Sequence, residues 1–334
     1  MKAISFAVVL AALISATAFA DDKVSVQLDY VVRGNHAMFF VAKKKGYFAK
    51  QGIDVTAIQR GTGSPNAMRL VGNGNAEFGF GDLPTLAVAR SQGVPVVALA
   101  AVNQHSPLGM LSLKSKHPLT KPQDLKGLTI GVQPSGSTYV FLKAFLTVNG
   151  MSMDDIKQAT VNPPYENYLL LGRVDAVPGY IDAEVPELEA KAGGPGSLSI
   201  LQGSDFGYKV YGSGLFASEK VIAEKEDVVQ RFVNAYMQAF ADVIQNPEEA
   251  ADIIVEANPE YASKKDVLVQ QIEADIKGTF FSPETKAHGL GWMTSDGWSD
   301  TTKILLEQGA MKDPIKVESA FDVKFLGRAN AVKR

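Results

Sequence analysis

The sequence predicts an α/β protein with two lobes, each a mixed, mostly parallel sheet flanked by helices, joined by a hinge of two strands. Three observations lead to this prediction. Strand-like and helix-like runs alternate through the first third of the chain, and the same alternation restarts near residue 124. Extended, glycine-containing segments then separate these units from each other and from a helical C-terminal region. Such alternation is typical of parallel sheets with helices on both faces.

The first 20 residues, 1–20, are predicted to be a cleavable secretory signal peptide. Lys2 supplies a positive charge, residues 4–14 are apolar, and Ala18-Phe19-Ala20 has the small residues of a cleavage site. A transmembrane anchor is the alternative, but the apolar run is shorter than the ~20 residues that a span needs. The chain has no cysteine for disulfides, thiolate chemistry or lipid attachment. Together these features predict export to a periplasm.

The first unit is predicted to contain four strands and three helices. The strands are expected at residues 24–30, 53–58, 76–80 and 96–102, and the helices at 37–50, 64–71 and 83–92. Ser64-Pro65 and Asp82 are typical of helix N-caps and first turns. Gly52 and Gly93 are typical of the positions just after a helix. This unit therefore has the order β-α-β-α-β-α-β.

The second unit repeats this order, and helices follow it. Its strands are expected at 128–132, 158–161, 176–180 and 199–202, its helices at 135–148, 165–171 and 182–190, and the later helices at 227–246, 247–256, 266–277 and 299–308. We expect lobe 1 to comprise residues 21–107 and 214–334, and lobe 2 residues 108–213. The hinge segments are expected near residues 105–113 and 208–216. Two such connections suit a cleft that closes on a ligand.

The motifs of common catalytic and nucleotide-binding sites are missing from the sequence. We find no phosphate-binding loop, no G-x-S-x-G turn and no Rossmann glycine spacing. The four histidines have no local metal-ligand spacing, so neither a metal nor another cofactor is predicted. The formal net charge is −3 and no run of like charges exceeds three residues, which gives no reason to expect nucleic acid. A periplasmic enzyme using Asp82, His36 and Glu184 as acid–base groups is the alternative.

Five loops that follow predicted strands are expected to face one cleft, where ligands of open α/β sheets bind. These loops are residues 33–36, 61–64, 81–82, 134–137 and 179–184. Glycine lets backbone approach a ligand, and hydroxyl groups donate and accept hydrogen bonds. Ordinary helix capping is the alternative for any single loop. The predicted ligand-binding residues are Tyr30, Asn35, His36, Gly63, Ser64, Asp82, Ser135, Gly136, Ser137, Tyr165, Tyr180 and Glu184.

The charges in these loops favour a neutral or amine-bearing ligand. Arg33 is the one basic side chain among them besides His36, whereas Asp82, Asp182 and Glu184 are acidic. A site for a strongly anionic ligand usually has more arginine or lysine. Tyrosines near the cleft are candidates for stacking on a flat ring, with core packing as the alternative. Glu184 is expected to accept hydrogen bonds from an amino group, or else to be a solvated residue of a helix first turn.

The order of several short motifs resembles the periplasmic solute-binding proteins of ABC importers. The matching branch handles thiamine pyrimidine precursors, alkanesulfonates, taurine and nitrate. The segments that carry the resemblance are Leu28-Asp29-Tyr30, Asn35-His36, Gly46-Tyr47-Phe48, Gly52-Ile53-Asp54-Val55, Asp124-Leu125-Lys126-Gly127, Ile130-Gly131-Val132, residues 179–184, residues 246–250 and Gly297-Trp298. They span nearly all of the mature chain.

The resemblance implies a type II periplasmic binding protein without catalytic activity. Its partners would be a small-molecule solute and an inner-membrane permease with its ATPase, and the protein would be a monomer. Docking to a receptor kinase is the alternative. The Leu-Asp-Tyr opening, the Asn35-His36 turn and Glu184 look closest to the pyrimidine-precursor branch, which commonly has tryptophan where this chain has Tyr30. A sulfonate, taurine or nitrate ligand stays open. The related fungal pyrimidine synthases carry a cysteine-rich motif, and this chain has no cysteine.

Overall fold

The computed structural model describes residues 21–162 and 166–331, and the predicted signal peptide lies outside these ranges. The described residues form two five-stranded sheets surrounded by helices. The strands are β1 Asp22–Gln27, β2 Ile53–Gln59, β3 Phe78–Asp82, β4 Val96–Ala101, β5 Leu108–Leu113, β6 Thr129–Val132, β7 Lys157–Thr160, β8 Ala176–Tyr180, β9 Leu198–Gln202 and β10 Ser213–Ser218. The predicted two-lobed α/β architecture is confirmed.

The helices follow most of the predicted boundaries closely. They are α1 Ala37–Lys44, α2 Tyr47–Lys50, α3 Ser64–Gly72, α4 Leu83–Ser91, α5 Ser137–Val148, α6 Glu166–Leu170, α7 Ile181–Ala192, α8 Glu219–Glu224, α9 Glu226–Gln245, α10 Pro247–Ala257, α11 Lys265–Gly278, α12 Pro283–His288, α13 Ser295–Glu307 and α14 Lys324–Ala331. The single helix predicted over residues 37–50 is wrong. It breaks into α1 and α2 because Gly46 adopts a positive φ of 71°, which ends a helix.

The first sheet has the strand order β2-β1-β3-β10-β4. β1 pairs in parallel with β2 and β3, as the alternation predicts, but β10 runs antiparallel between β3 and β4. Residues 213–216 of the segment predicted near the hinge lie in β10. All six residues of β10 are buried, because the strand lies inside the sheet.

The second sheet has the order β7-β6-β8-β5-β9, with β5 antiparallel to both neighbours. Residues 108–113 of the other segment predicted near the hinge form β5, an interior strand of this sheet. The segments that run between the two sheets are shorter than the predicted hinge segments, and they lie side by side. Gly212 N–H donates to Asn103 O at 2.9 Å, and Ser106 N–H donates to Val210 O at 2.9 Å. These backbone bonds hold together the two segments that run between the sheets.

Apolar side chains cover both faces of each sheet. On one face of the first sheet, the ring of Phe78 from β3 stacks on Phe232 of α9 with centroids 3.7 Å apart. The helical spacing of apolar residues in α9 places its buried stripe there. The C-terminal chain returns to this sheet, where Ala98 of β4 bridges Phe321. Within residues 21–162 and 166–331, none of the helices has the length and apolar character needed to span a bilayer.

Candidate ligand-binding cleft

The strand-end loops of the two sheets line a cavity with about 470 Å³ of empty space, part of it open to solvent. Loops from both sheets contribute to its wall, as expected where strands end in open α/β sheets. The predicted residues that line it are Tyr30, Asn35, His36, Gly63, Ser64, Gly136, Ser137 and Tyr180, and the other lining residues are Asp29, Arg33, Gln133 and Thr138. The cavity therefore gathers four of the five predicted loops, whereas Asp82, Ser135 and Glu184 do not line it.

The turn before α1 forms one wall and fixes the orientation of His36. Arg33 N–H donates to Nδ1 of His36 at 3.1 Å, so the ring hydrogen is on Nε2. Nε2 then donates to Oδ1 of Asp29 at 2.9 Å, and the ring edge packs on Phe80 with centroids 5.1 Å apart. His36 is 1% exposed. Both of its ring nitrogens are engaged, so the side chain braces this wall.

Asn35 supplies an acceptor to the same wall. The residue is 7% exposed, and its Oδ1 has no hydrogen-bond partner among the described protein atoms. A buried amide oxygen without a donor costs about 1–3 kcal/mol. A ligand N–H group in the cavity would remove that cost.

Ser64 lines the cavity, and Asp82 lies buried next to it. Ser64 was predicted to cap α3, but Gly63 is the N-cap residue, and the Ser64 hydroxyl instead accepts from Asp82 N–H at 3.1 Å. Asp82 caps α4 as predicted, accepting from Thr85 N–H at 2.9 Å. Its carboxyl group is 1% exposed and does not line the cavity. Burial raises the pKa of Asp82 to about 7, while the Thr85 hydrogen bonds oppose the rise.

The opposite wall comes from the second sheet. Gly136 precedes α5, and Tyr180 ends β8 where α7 begins. The hydroxyl groups of Ser137 and Tyr180 are 2.8 Å apart, which makes a hydrogen-bonded pair facing the first wall. Burial is the main reason why the pKa of Tyr180 lies well above its usual value of 10, so the phenol is neutral.

Glu184 does not line the cavity. Its carboxylate accepts from Arg33 Nη2 at 2.7 Å and, through its other oxygen, from the N–H of Tyr180. The side chains of Arg33 and Glu184 are 11% and 1% exposed, so the pair is buried. Arg33 also lies over the ring of Tyr30, with its guanidinium carbon 4.5 Å from the ring centroid. The acceptor that was expected to meet a ligand amino group meets Arg33 here, across the two lobes.

Ser135, another predicted residue, does not line this cavity. Ser135 is exposed and faces a separate groove beside α3, α4 and α5, because it precedes the N-cap glycine of α5 and points outward. Tyr165 lies outside the described residues. A wider outer cleft of about 1620 Å³, part of it open solvent, adjoins the cavity. Tyr30, Arg33 and Gln133 line both spaces, so these three residues separate the cavity from the outer cleft.

Comparison with known proteins identifies the family. The sequence model of the protein family described as "NMT1/THI5 like" matches residues 33–250. The chain belongs to the NMT1/THI5-like family. The matched region includes the first-wall turn, both crossing segments and the whole second sheet.

Relatives and solved structures of similar shape are consistent with the two-lobed fold. The chain is 27% identical to the riboflavin-binding protein RibY of Chloroflexus aurantiacus, over 91% of this chain and 86% of RibY. It is 26% identical to the formylaminopyrimidine-binding protein of Halalkalibacterium halodurans, over 90% and 89% of the two chains. A pyrimidine phosphate synthase of Saccharomyces cerevisiae, THI13, matches at 26% identity over 72% of each chain. The MOPS-bound alkanesulfonate-binding protein SsuA of Xanthomonas axonopodis pv. citri superposes with a TM-score of 0.71, at 15% identity and covering 92% and 100% of the two chains.

Some cavity residues of this NMT1/THI5-like protein were not predicted from the sequence. Gln133 directly follows β6, so the rule that ligands bind at strand ends was sufficient to find it. Asp29 and Thr138 each lie one residue from a predicted site residue. Gln271 lies in the middle of α11 and borders the outer cleft, and no sequence signal marks it. Among the described residues, no group of three or more His, Cys, Asp or Glu side chains is arranged to hold a metal ion.

Proposed function

We propose that this NMT1/THI5-like protein is the solute-binding subunit of an ABC importer. It would capture a small molecule between its lobes and present it to a membrane permease. The observation that carries this proposal is the cavity whose two walls come from different sheets, because a ligand there contacts both lobes at once. Such a ligand stabilises the closed arrangement through contacts that neither lobe makes alone. The names of the riboflavin-binding and formylaminopyrimidine-binding relatives support a binding role.

The lobes proposed for this movement are residues 21–107 with 214–334, and residues 108–213. The hinge would lie where the chain crosses between the sheets, within residues 105–113 and 208–216. The paired backbone of Ser106 and Val210 supports this location, because the two crossings form a short two-stranded ribbon. Rotation there leaves each sheet intact.

The ligand that we propose is a flat, neutral or amine-bearing ring such as a thiamine pyrimidine precursor. Asn35 Oδ1 would accept from a ring N–H or amino group, and the Ser137–Tyr180 hydroxyl pair would bond to a ring heteroatom. Tyr30 at the mouth would cover one face of the ring. A strongly anionic ligand is less favoured, because the positive charge of Arg33 is already offset by Glu184, 2.7 Å away. A sulfonate, taurine or nitrate ligand is therefore the less favoured alternative.

A non-enzymatic role is proposed together with this assignment. The three candidate acid–base groups already have structural roles, since His36 braces Asp29, Asp82 caps α4, and Glu184 pairs with Arg33. Because a yeast relative is named as a synthase, the proposed lack of catalysis needs a direct test. We expect no turnover of a bound pyrimidine, and turnover that is lost in His36→Ala with the fold intact would contradict this expectation.

The proposed location is the periplasm, reached through the signal peptide, with a permease, its ATPase and the solute as partners and the protein itself a monomer. The experiment for the ligand is a thermal-shift screen with a formylaminopyrimidine, riboflavin, an alkanesulfonate, taurine and nitrate. A ligand that binds only the native state raises the melting temperature. We expect a shift with a nitrogen heterocycle. Shifts with only sulfonates or nitrate would overturn the ligand proposal and leave the transport role in place.

A further inference from the structure

Two buried carboxyl groups meet where the lobes meet, away from the cavity. Asp182 lies in the first turn of α7, and Asp275 lies near the end of α11. They are 3% and 1% exposed and within hydrogen-bonding reach of each other. Asp182 follows the second sheet, whereas α11 packs on the first. The pair therefore joins elements that belong to different proposed lobes.

The two carboxyl groups differ in their hydrogen-bond partners. Oδ1 of Asp275 accepts from Asn103 Nδ2 at 2.6 Å and from Thr279 Oγ1 at 2.7 Å. Among the described residues, no side chain donates a hydrogen bond to Asp182 when both groups are ionised, and only the backbone N–H of Ala183 favours its charged form in this way. A proton on Asp182 supplies the missing donor, because the protonated group can then bond to Asp275. Two adjacent buried carboxyl groups share a proton for this reason.

The charged groups near the pair do not replace that proton. Arg33, on the turn before α1, favours the ionised form of Asp182, but its guanidinium bonds to Glu184. Asn103, Thr279 and Gln271 are neutral. Burial and the neighbouring Asp275 together hold the pKa of Asp182 well above its usual range, and burial raises the pKa of Asp275 to about 6.

Gln271 holds the two carboxyl-bearing helices together one helical turn from Asp275. Its Nε2 donates to Ala183 O at 2.7 Å, and its Oε1 accepts from Gly34 N–H at 2.9 Å. The same face of α11 thus contacts the start of α7 and the ligand-side turn. Opening the lobes would separate Asp182 from Asp275 and expose both to water, where each ionises near its ordinary pKa.

We propose that Asp182 and Asp275 form an interlobe proton site, so that closing the lobes takes up a proton and opening them releases it. This inference rests on the proposed two-lobe binding function. Where the closed form holds one shared proton and the open form holds none, closure takes up about one proton, which changes the closed-to-open ratio by up to about tenfold per pH unit. Acidification then favours the closed form and raises the affinity for any solute that binds between the lobes.

The test measures closure without a solute, so it does not depend on which ligand is right. The chain lacks cysteine, so Lys191→Cys and Ser263→Cys place one spin label on each side of the outer cleft. Electron–electron distance measurements at pH 5, 6, 7 and 8 then give the closed fraction. We expect it to fall as pH rises in the labelled wild type. An equal closed fraction at all four pH values would overturn the proposal.

Two variants and a control locate the effect. Asp182→Asn keeps a donor toward Asp275 and loses the titration, so its closed fraction should not change with pH. Asp275→Asn removes one of the two coupled carboxyl groups and should make the profile less steep, and it serves if Asp182→Asn does not fold. Glu189→Gln removes the same charge from α7, where Glu189 bonds within its own lobe to Gly196 N–H, and should behave like wild type. A wild-type profile in both aspartate variants, or a profile lost instead in Asp82→Asn, would assign the proton elsewhere.

Discussion

Replacing Glu184 separates the contact that links the lobes from the contact that stabilises one of them. Among the described residues, the carboxylate of Glu184 bonds to Arg33 and to the N–H of Tyr180. The bond to Arg33 Nη2 crosses between the lobes at 2.7 Å, whereas the bond from Tyr180 N–H lies within the start of α7. Losing the first should weaken closure on a ligand, and losing the second should lower the free energy of unfolding of lobe 2. Glu184→Gln keeps an acceptor oxygen and removes the charge, so it acts mainly on the first.

The size of the effect follows from the burial of the pair. Hydrogen bonds to charged groups contribute about 1.5–3 kcal/mol, and with side chains only 11% and 1% exposed the Arg33–Glu184 bond belongs in that range. Because about 1.4 kcal/mol corresponds to a tenfold change in Kd, Glu184→Gln should weaken solute binding by roughly 10- to 150-fold. Glu184→Ala should do more, since it breaks a buried ion pair by removing one partner, which costs about 3–5 kcal/mol.

The assay is isothermal titration calorimetry with the solute that gives the largest thermal shift, combined with urea unfolding of each variant. Glu189→Gln is the matched control, because it makes the same charge change on the same helix without crossing the lobes. A double-mutant cycle with Arg33→Gln then isolates the pair. If Glu184→Gln binds as tightly as wild type, or if the cycle gives no coupling, the Arg33–Glu184 bond does not hold the ligand-bound form and the reasoning is wrong.

Three further predictions concern the first wall and the buried Asp82 next to it. Asn35→Ala should weaken binding by about 1–3 kcal/mol without unfolding the protein, because its buried Oδ1 is the proposed ligand acceptor; calorimetry against Asn75→Ala, an exposed asparagine beyond the far end of α3, checks it. Gly34→Ala should lower both affinity and stability, since its Cβ would lie 2.7 Å from Gln271 Cβ and 2.9 Å from the backbone of Ile272; unchanged calorimetric affinity and urea midpoint would contradict this. Asp82 has its pKa raised from 3.8 to about 7, so the folded state holds a proton that the unfolded state releases, and stability should fall by up to about 4 kcal/mol as pH rises from 4 to 7 and then level off. Urea midpoints across this range should show a slope that Asp82→Asn reduces.

The location of the cavity was accessible to sequence reasoning because strand direction follows from the alternation of strands and helices. Once β1, β2 and β6 are parallel strands followed by helices, their C-terminal loops must face the cleft, which brings Asn35, Ser64 and Ser137 to one cavity. The capping role of Asp82 was equally local, since it depends on a hydrogen bond three residues along the chain. Information carried within one βα unit is therefore accessible from the sequence.

The contacts that the sequence did not reveal connect distant residues. Arg33 and Glu184 are 151 positions apart, and their pairing depends on how the lobes pack. The insertion of β10 between β3 and β4 likewise brings the chain back antiparallel after the whole second sheet. Periodicity predicts that such a strand is buried and extended, but it cannot say which neighbours it pairs with. The role expected for Glu184 changed for this reason: its cationic partner comes from the other lobe.

The contacts between the lobes differ in what they can contribute to closure. Lys264 and Glu187 pair at 2.7 Å near the outer cleft, but the lysine side chain is 46% exposed, so this bond is worth at most about 1 kcal/mol. The buried contacts of Arg33 and Gln271 matter more, because water must replace them when the lobes separate. The buried interlobe bonds already influence the equilibrium between the open and closed forms. A ligand that bonds to Asn35 on one wall and to the Ser137–Tyr180 pair on the other has to shift that equilibrium. Differential affinity of about 5.5 kcal/mol moves a two-state equilibrium from 1:99 to 99:1. Two or three neutral hydrogen bonds, at about 0.5–1.5 kcal/mol each, supply part of that difference. Relieving the unpartnered buried oxygen of Asn35 is worth about 1–3 kcal/mol, so Asn35 is the residue on which capture should depend most.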